Sequence, residues 1–292
     1  MRTRLISAAV LVPVVGAVFV AGPPFILLAI LILAALAAFE VVQLVRRAGL
    51  PANTVMSAVL APVVAFGLTF IGLPRGIGFY DTSWVFLAPG LALILVGTAT
   101  LSLVFTDPRK GLTAWVGNVI AVLYPSLIGF AAAISALGYW QVPYDTLREQ
   151  FGAGRLWLLI LVLTVWSIDS AAYVVGRYFP RGRFFNHISP RKTWSGAIGG
   201  TVAAVIVCSA LAAVLLEVNV LLGAVTGLLI AISAQAGDLV ESMLKRAAEV
   251  KDSGTLIPGH GGILDRVDSF LFAAPVTYTW LLLLMHNGQA VT

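Results

Sequence analysis

Ten of the chain's 31 charged residues fall between Asp238 and Asp268, a window of 31 positions in a polypeptide that is 60% hydrophobic. The window mixes acids, bases and glycines: Asp238, then Glu241-Ser242-Met243-Leu244-Lys245-Arg246, then Lys251-Asp252-Ser253-Gly254, then Pro258-Gly259-His260-Gly261-Gly262-Ile263-Leu264-Asp265-Arg266-Val267-Asp268. Metal-assisted chemistry on phosphates needs this mixture. A hard divalent cation such as magnesium takes one or two carboxylates plus substrate phosphates and keeps several waters. Anionic oxygens take cationic side chains and converging backbone N–H groups. Asp238, Asp265 and Asp268 are the candidate metal ligands. Asp265 and Asp268 lie three residues apart and share one face if a helix starts there. Gln235, Asp238, Glu241, Ser242 and Lys245 recur at helical spacing and form one polar stripe on an apolar helix. Such a stripe faces water or other polar groups.

Between the acids, the glycines around His260 permit N–H groups to converge on an anion, and Lys245, Arg246, Lys251 and Arg266 surround that loop. A second basic loop, His187 to Gly196, opens the hydrophobic run at 194–217. Its Ser189, Lys192 and Thr193, beside a helix N-terminus, suit phosphate contact; anchoring by positive charge is the plainer alternative. Asp169 sits inside a hydrophobic run, where an ionised carboxylate costs about 2.5 to 3.5 kcal/mol even on the lenient insertion scale, so it needs a partner. Tyr173 and Gly176 follow it on the same face, leading to Arg177, Arg181 and Arg183. A structural ion pair is the other reading of Asp169.

The elements that position these residues are membrane helices. A chain of 292 residues with 11% charged residues and a mean hydropathy of +0.99 is not a water-soluble globule. Hydrophobic runs at 5–21, 24–45, 52–73, 83–105, 112–137, 156–176, 194–217, 219–244 and 269–287 predict an all-α, polytopic membrane protein of nine spans. Gly22-Pro23-Pro24 is read as a turn between the first two spans or a kink near the end of one. With nine spans and an internal N-terminus, fifteen of the 18 Lys and Arg residues fall on the cytoplasmic side, and only Arg75, Arg148 and Arg155 outside. That topology puts the window from Asp238 to Asp268 at the cytoplasmic face of an inner membrane. The net charge of +5 fits contact with anionic headgroups, and no soluble basic domain is present to take a nucleic acid.

Residues 1–155 read as a lipid-facing helical scaffold and 156–292 as catalytic helices and cytoplasmic loops, all in one membrane domain. In the first half Glu40 is the lone acid well inside a span, and its expected role is interfacial or helix-pairing. Gly196 with Gly200, and Gly223 with Gly227, have the small-xxx-small spacing that lets helices pack closely within the chain. The single cysteine, Cys208, excludes an intramolecular disulfide and a thiolate metal site.

Ser242 through Asp268 resembles the signature of the phosphatidate cytidylyltransferases (CDP-diacylglycerol synthases) at every fixed position over 27 residues. The segment Asp169 to Tyr173 and the Ser-Pro-x-Lys-Thr-x-x-Gly loop at Ser189 to Gly196 are also similar to that family, although Ser195 stands where an acidic or amide side chain is expected. The resemblance implies transfer of a cytidylyl group from CTP to phosphatidic acid, with magnesium as cofactor and the number of ions left open. It further implies a homodimer in contact with membrane lipids. On that reading Asp238, Asp265, Asp268, Lys245 and Arg266 are catalytic, the three aspartates holding the metal. Ser189, Lys192, Thr193, Ser242, Arg246, Lys251, His260, Gly261 and Gly262 bind substrate phosphates. Asp169, Tyr173, Glu241 and Asp252 support them. A CTP-dependent lipid or polyprenol kinase would use the same groups, and a secondary transporter would share only the intramembrane acids.

Overall fold

The computed structural model describes residues 13–70, 83–137, 151–257, 259 and 261–286. Its helices are α1 (Pro23–Arg47), α2 (Thr54–Thr69), α3 (Ser83–Ser102), α4 (Pro108–Ser126), α5 (Gly129–Ala136), α6 (Ala153–Tyr178), α7 (Trp194–Leu216), α8 (Val220–Ala247) and α9 (Leu264–His286). Residues 13–21 are helical as well. No strand occurs among the described residues; isolated bridges join Arg183 to Thr193 and Ile257 to Gly261. Gly22, at φ 99°, separates the helical residues 13–21 from α1, and Pro23 and Pro24 fill the first turn of α1, where a missing N–H costs nothing.

Six helices among the described residues are long and apolar enough to cross a membrane: Pro23–Arg47, Pro108–Ala136, Ala153–Tyr178, Trp194–Leu216, Val220–Ala247 and Leu264–Met285. Each coincides with an expected span. The expected span at 52–73 is a helix of 16 residues, about 24 Å long against a hydrocarbon core of about 30 Å. The one at 83–105 is helical over Ser83–Ser102. Only 13–21 of the first expected span lies within the described residues.

The chain forms two compact units, Met1–Ala133 with Met243–Val267, and Ile134–Ser242 with Asp268–Thr292. In the first unit α1 packs on α2 and α4. Its buried positions Ile26, Ile30, Ala34, Ala37 and Ala38 form one stripe facing the neighbouring helices, and from Glu40 to Val45 (Glu40, Val41, Val42, Leu44, Val45) the helix is buried on most of its faces. The stripe is rich in small residues because lipid supplies no hydrophobic force between helices, and close backbone approach must do the holding. Leu28, Ile32 and Phe39, on other faces, are exposed, as suits a helix against hydrocarbon. Asn53 caps α2 by accepting the Met56 N–H, and its own N–H donates to Asn118 Oδ1 of α4 at 2.7 Å.

In the second unit glycines bring α6, α7, α8 and α9 together. A Cβ on Gly196 would stand 2.8 Å from the Ala172 carbonyl of α6, and one on Gly227 would stand 2.6 Å from the Ala204 carbonyl of α7. The small-residue pairs are therefore used for packing inside the chain. Gln235, the first residue of the polar stripe, donates to Thr201 Oγ1 of α7 at 3.1 Å, and Trp280 of α9 donates to Thr226 Oγ1 of α8 at 2.9 Å.

Candidate active site

The second unit holds an acidic group. Asp238 and Glu241 lie three residues apart on α8, and with Asp268 of α9 they place one carboxylate oxygen each within 4.8 Å of one another. Glu241 is 1% exposed, Asp238 and Asp268 partly so. Gly237, next to Asp238, makes this possible: a Cβ there would stand 2.5 Å from the Asp268 carbonyl oxygen, so only glycine lets the α9 backbone come this near. Oxygen donors in a tight set of partly buried carboxylates fit magnesium.

A basic loop meets the same acids. Lys192 Nζ lies 2.6 Å from Asp238 Oδ2. The loop before α7 is folded back on itself, with Phe184 N–H donating to the Lys192 carbonyl (2.9 Å) and Trp194 N–H to the Gly182 carbonyl (3.1 Å). Phe184 packs edge-on against Trp194 with ring centroids 4.5 Å apart. Ser189 turns the chain toward Lys192 by accepting its N–H (3.2 Å), and Thr193 caps α7 by accepting the Gly196 N–H at 3.1 Å. Ser195 accepts the Arg181 N–H at 3.1 Å, a loop-stabilising task that the hydroxyl performs. Asp169 is exposed on α6, and the Tyr173 hydroxyl, one turn on, accepts from Arg177 at 2.6 Å.

The first unit holds the other group, centred on Asp265. Its Oδ1 accepts from Lys245 Nζ at 2.7 Å. Oδ2 accepts from the Ser253 N–H (3.0 Å) and the Gly262 N–H (2.8 Å), and Ser253 Oγ lies 3.0 Å away. Gly261, at φ 83°, turns the chain where a Cβ would stand 2.6 Å from Asp265 Oδ2. Glu40, reaching in from α1, accepts from Ile263 N–H (2.9 Å), Leu264 N–H (2.8 Å) and Ser253 Oγ (2.8 Å). Glu40 thus ties α1 to the loop before α9 and to the first residue of α9, a more specific task than the interfacial or helix-pairing role expected of it.

Of the three aspartates expected to share a metal, Asp238 and Asp268 stand together, and the third member of their group is Glu241, which was read as a supporting residue. Asp265 belongs to the first unit, where it accepts from Lys245 and from the N–H groups of its own loop. Physically, i and i+3 on α8 put Glu241 beside Asp238, while Asp265, in the first turn of α9, folds back onto the N–H groups that precede the helix. The glycine loop's N–H groups that were expected to meet a substrate anion include Gly262, which meets Asp265. Ser242 is buried, whereas Lys251, Asp252 and Arg266 are exposed, and Arg246 donates to the Val250 carbonyl at 3.2 Å. His260 lies outside the described residues. Sequence reasoning missed Ser253 and Gly237 and left the partners of Glu40 unnamed. A lone acid in an apolar span was a signal that Glu40 had work to do; nothing in the local sequence named its partners.

Comparison with known proteins bears on the same residues. The profile described as "Cytidylyltransferase family" matches residues 2–284. The chain is 33% identical over 298 residues to a phosphatidate cytidylyltransferase of Haemophilus influenzae, covering 94% of this chain and 96% of that one. It is 36% identical over 200 residues to one of Brucella suis, covering 68% and 72%. A match of 43% identity over 150 residues to one of Synechocystis spans about half of each chain, 51% and 50%. A profile match over nearly the whole length, on a helical chain with clustered carboxylates and a lysine-bearing loop against them, establishes a nucleotidyltransferase: the chain belongs to the cytidylyltransferase family.

Proposed function

We propose that the protein transfers the cytidylyl group of CTP to phosphatidic acid, giving CDP-diacylglycerol and pyrophosphate. The reaction is assigned to the cytoplasmic face of a bacterial inner membrane, with nine spans in all. The observation that carries the reading is the contact between opposite charges on α8 and the basic loop: three carboxylates with oxygens within 4.8 Å of one another, and Lys192 against one of them at 2.6 Å. Reactions between two polyanions need both kinds of group.

A phosphate monoester carries between one and two negative charges near neutral pH, its second pKa being about 6, so this nucleophile needs neutralising more than deprotonating. Lys192 keeps donors beyond the one directed at Asp238, and a loop exposed on the polar side can turn them to phosphate oxygens. Asp265 fixes Lys245 in one direction, which suits an ammonium that must meet a particular oxygen rather than sweep through solvent. Arg266 and Lys251, whose exposure leaves them accessible, are assigned to the nucleotide's outer phosphates, and His260 is assigned a donor's role there. Asp238, Glu241 and Asp268 would hold magnesium, which when bound supplies charge stabilisation for the departing pyrophosphate. Asp169 lies on an exposed face of α6, where a carboxylate is tolerated if it borders a polar cavity rather than lipid, consistent with a supporting part in headgroup binding.

Product analysis tests the reading. Purified protein with CTP, magnesium and short-chain phosphatidate is expected to release pyrophosphate and form CDP-lipid in equal amounts. Appearance of CDP and a newly phosphorylated lipid would assign the chain to CTP-dependent lipid kinases instead. No turnover of CTP with any of these lipids would remove the enzymatic assignment to phosphatidate.

A further inference from the structure

We propose that Glu40 is a positioning residue for the reaction: from a helix early in the chain it holds the loop that aims Asp265 and Lys245. The inference deepens the proposed cytidylyl transfer and rests on it. Glu40 is 1% exposed in α1, and a buried carboxylate is costly unless its oxygens are fully satisfied. Its oxygens accept three hydrogen bonds, from Ser253 Oγ, Ile263 N–H and Leu264 N–H, between 2.8 and 2.9 Å. Two of the donors, on Ser253 and Ile263, belong to the segment between α8 and α9, and the third is the N–H of Leu264, the first residue of α9.

Two of these donors are the N–H groups at the start of α9, which every helix leaves without an intrahelical acceptor. A local Ser, Thr, Asp or Asn normally caps them. The residue before Leu264 is Ile263, which has no side-chain acceptor, so the cap comes from Glu40, 223 residues away from Ile263 in the chain. The loop is shaped to receive it. A Cβ on Gly254 would stand 2.5 Å from Glu40 Oε1, and one on Gly262 would collide with Glu40 Oε2 and Ser253 Oγ. These two glycines therefore clear room for a protein carboxylate.

The link to chemistry runs through Ser253. Its hydroxyl lies 2.8 Å from Glu40 Oε2 and 3.0 Å from Asp265 Oδ2, and its one hydrogen serves one acceptor at a time. Its N–H and that of Gly262 fix Asp265 Oδ2, leaving Oδ1 turned to Lys245. Glu40 thus holds the segment at two places, at Ser253 within it and at Ile263 and Leu264 where it enters α9, and the Asp265–Lys245 pair inherits its position. A helix-pairing carboxylate would affect only stability. A positioning residue changes turnover in protein that is still folded.

The test uses full-length protein in detergent, with Glu40→Gln, Ser253→Ala and the double variant, assayed per mole of monodisperse enzyme. In Glu40→Gln an amide NH2 must face one of the N–H donors, so one end of the segment is released. Expected is a fall in kcat of about 10- to 100-fold, the size of effect that a displacement of about 1 Å at a reacting group produces, with KM for CTP changed less than about threefold. The double variant should be no worse than about twofold below Glu40→Gln, because both substitutions cut the same link. Hydrogen exchange supplies a readout independent of activity: the Ile263 and Leu264 amides should exchange at least about tenfold faster in Glu40→Gln. Should that variant not accumulate as folded protein, Gly254→Ala, whose added carbon presses on Glu40 Oε1, carries the same expectations. Wild-type kcat in folded Glu40→Gln, or losses that multiply fully in the double variant, would overturn the proposal. A wild-type protein without cytidylyl transfer would defeat the proposed function, and the exchange rates would still show whether Glu40 holds the segment.

Discussion

Asp238, Glu241 and Asp268 bring one carboxylate oxygen each within 4.8 Å of one another, an arrangement in which like charges repel unless cations offset them. Lys192 offsets part of that charge at 2.6 Å, through a pair with side-chain exposures of 26% and 34%, so screening keeps its contribution small. A divalent ion offsets more. Asp238→Asn, Glu241→Gln and Asp268→Asn each keep the side chain's size and remove one charged ligand. Each is expected to lower turnover at moderate magnesium by at least about 100-fold, since a metal's share of transition-state stabilisation amounts to several kcal/mol. Magnesium titrations check this. Partial recovery at high magnesium in all three variants is the expected result. If Glu241→Gln titrates like the wild type while Asp265→Asn needs far more magnesium, the third ligand is Asp265, as its spacing from Asp268 in the sequence suggested.

At the scale of elements, the acidic group depends on how closely α8 and α9 run past each other at Gly237. Any side chain there meets the Asp268 carbonyl, a backbone atom that cannot swing aside. Gly237→Ala should therefore push α9 away, separate Asp268 from Asp238, and cost about 100-fold in turnover while the protein still folds. Gly67→Ala in α2, where an added Cβ meets nothing within 4 Å, is the matched control and should keep wild-type rates. Equal rates in both variants would show that the carboxylates tolerate a looser helix pair. The helices themselves were legible in the sequence because hydropathy over some 20 residues is a property of composition. The polar stripe on α8 was legible because i, i+3 and i+7 share a face. Gly237 was not, since a glycine beside an aspartate looks the same whether it meets lipid, solvent or another backbone. The hydrogen bonds that Asp265 accepts in the first turn of α9 were not legible either, because they come from N–H groups of its own loop and leave no mark on the spacing of the acids.

For the molecule as a whole, the distribution of positive charge argues for nine crossings, and six helices among the described residues meet the length and hydropathy of a span. A cysteine at Gly254, in a background with Cys208 replaced, is expected to react with an impermeant thiol reagent only when the cytoplasmic face is opened; one at Gln150 should react in intact cells. The reverse labelling pattern would place the loop away from CTP and end the proposed reaction. The motif from Ser242 to Asp268 could be read in one pass because its residues are consecutive. Glu40 could not be joined to it, since contacts over 213 to 224 residues leave no mark on spacing. That separation also bears on biogenesis. At ribosomal speeds of about 5 to 20 residues per second, the Ile263 and Leu264 amides are made about 10 to 45 s after Glu40 is added to the chain. For that interval the first membrane helices must shelter a carboxyl group with no permanent partner, through water, lipid headgroups or the insertion machinery, and a nascent chain that stops early carries that unmet acid as a mark of incompleteness.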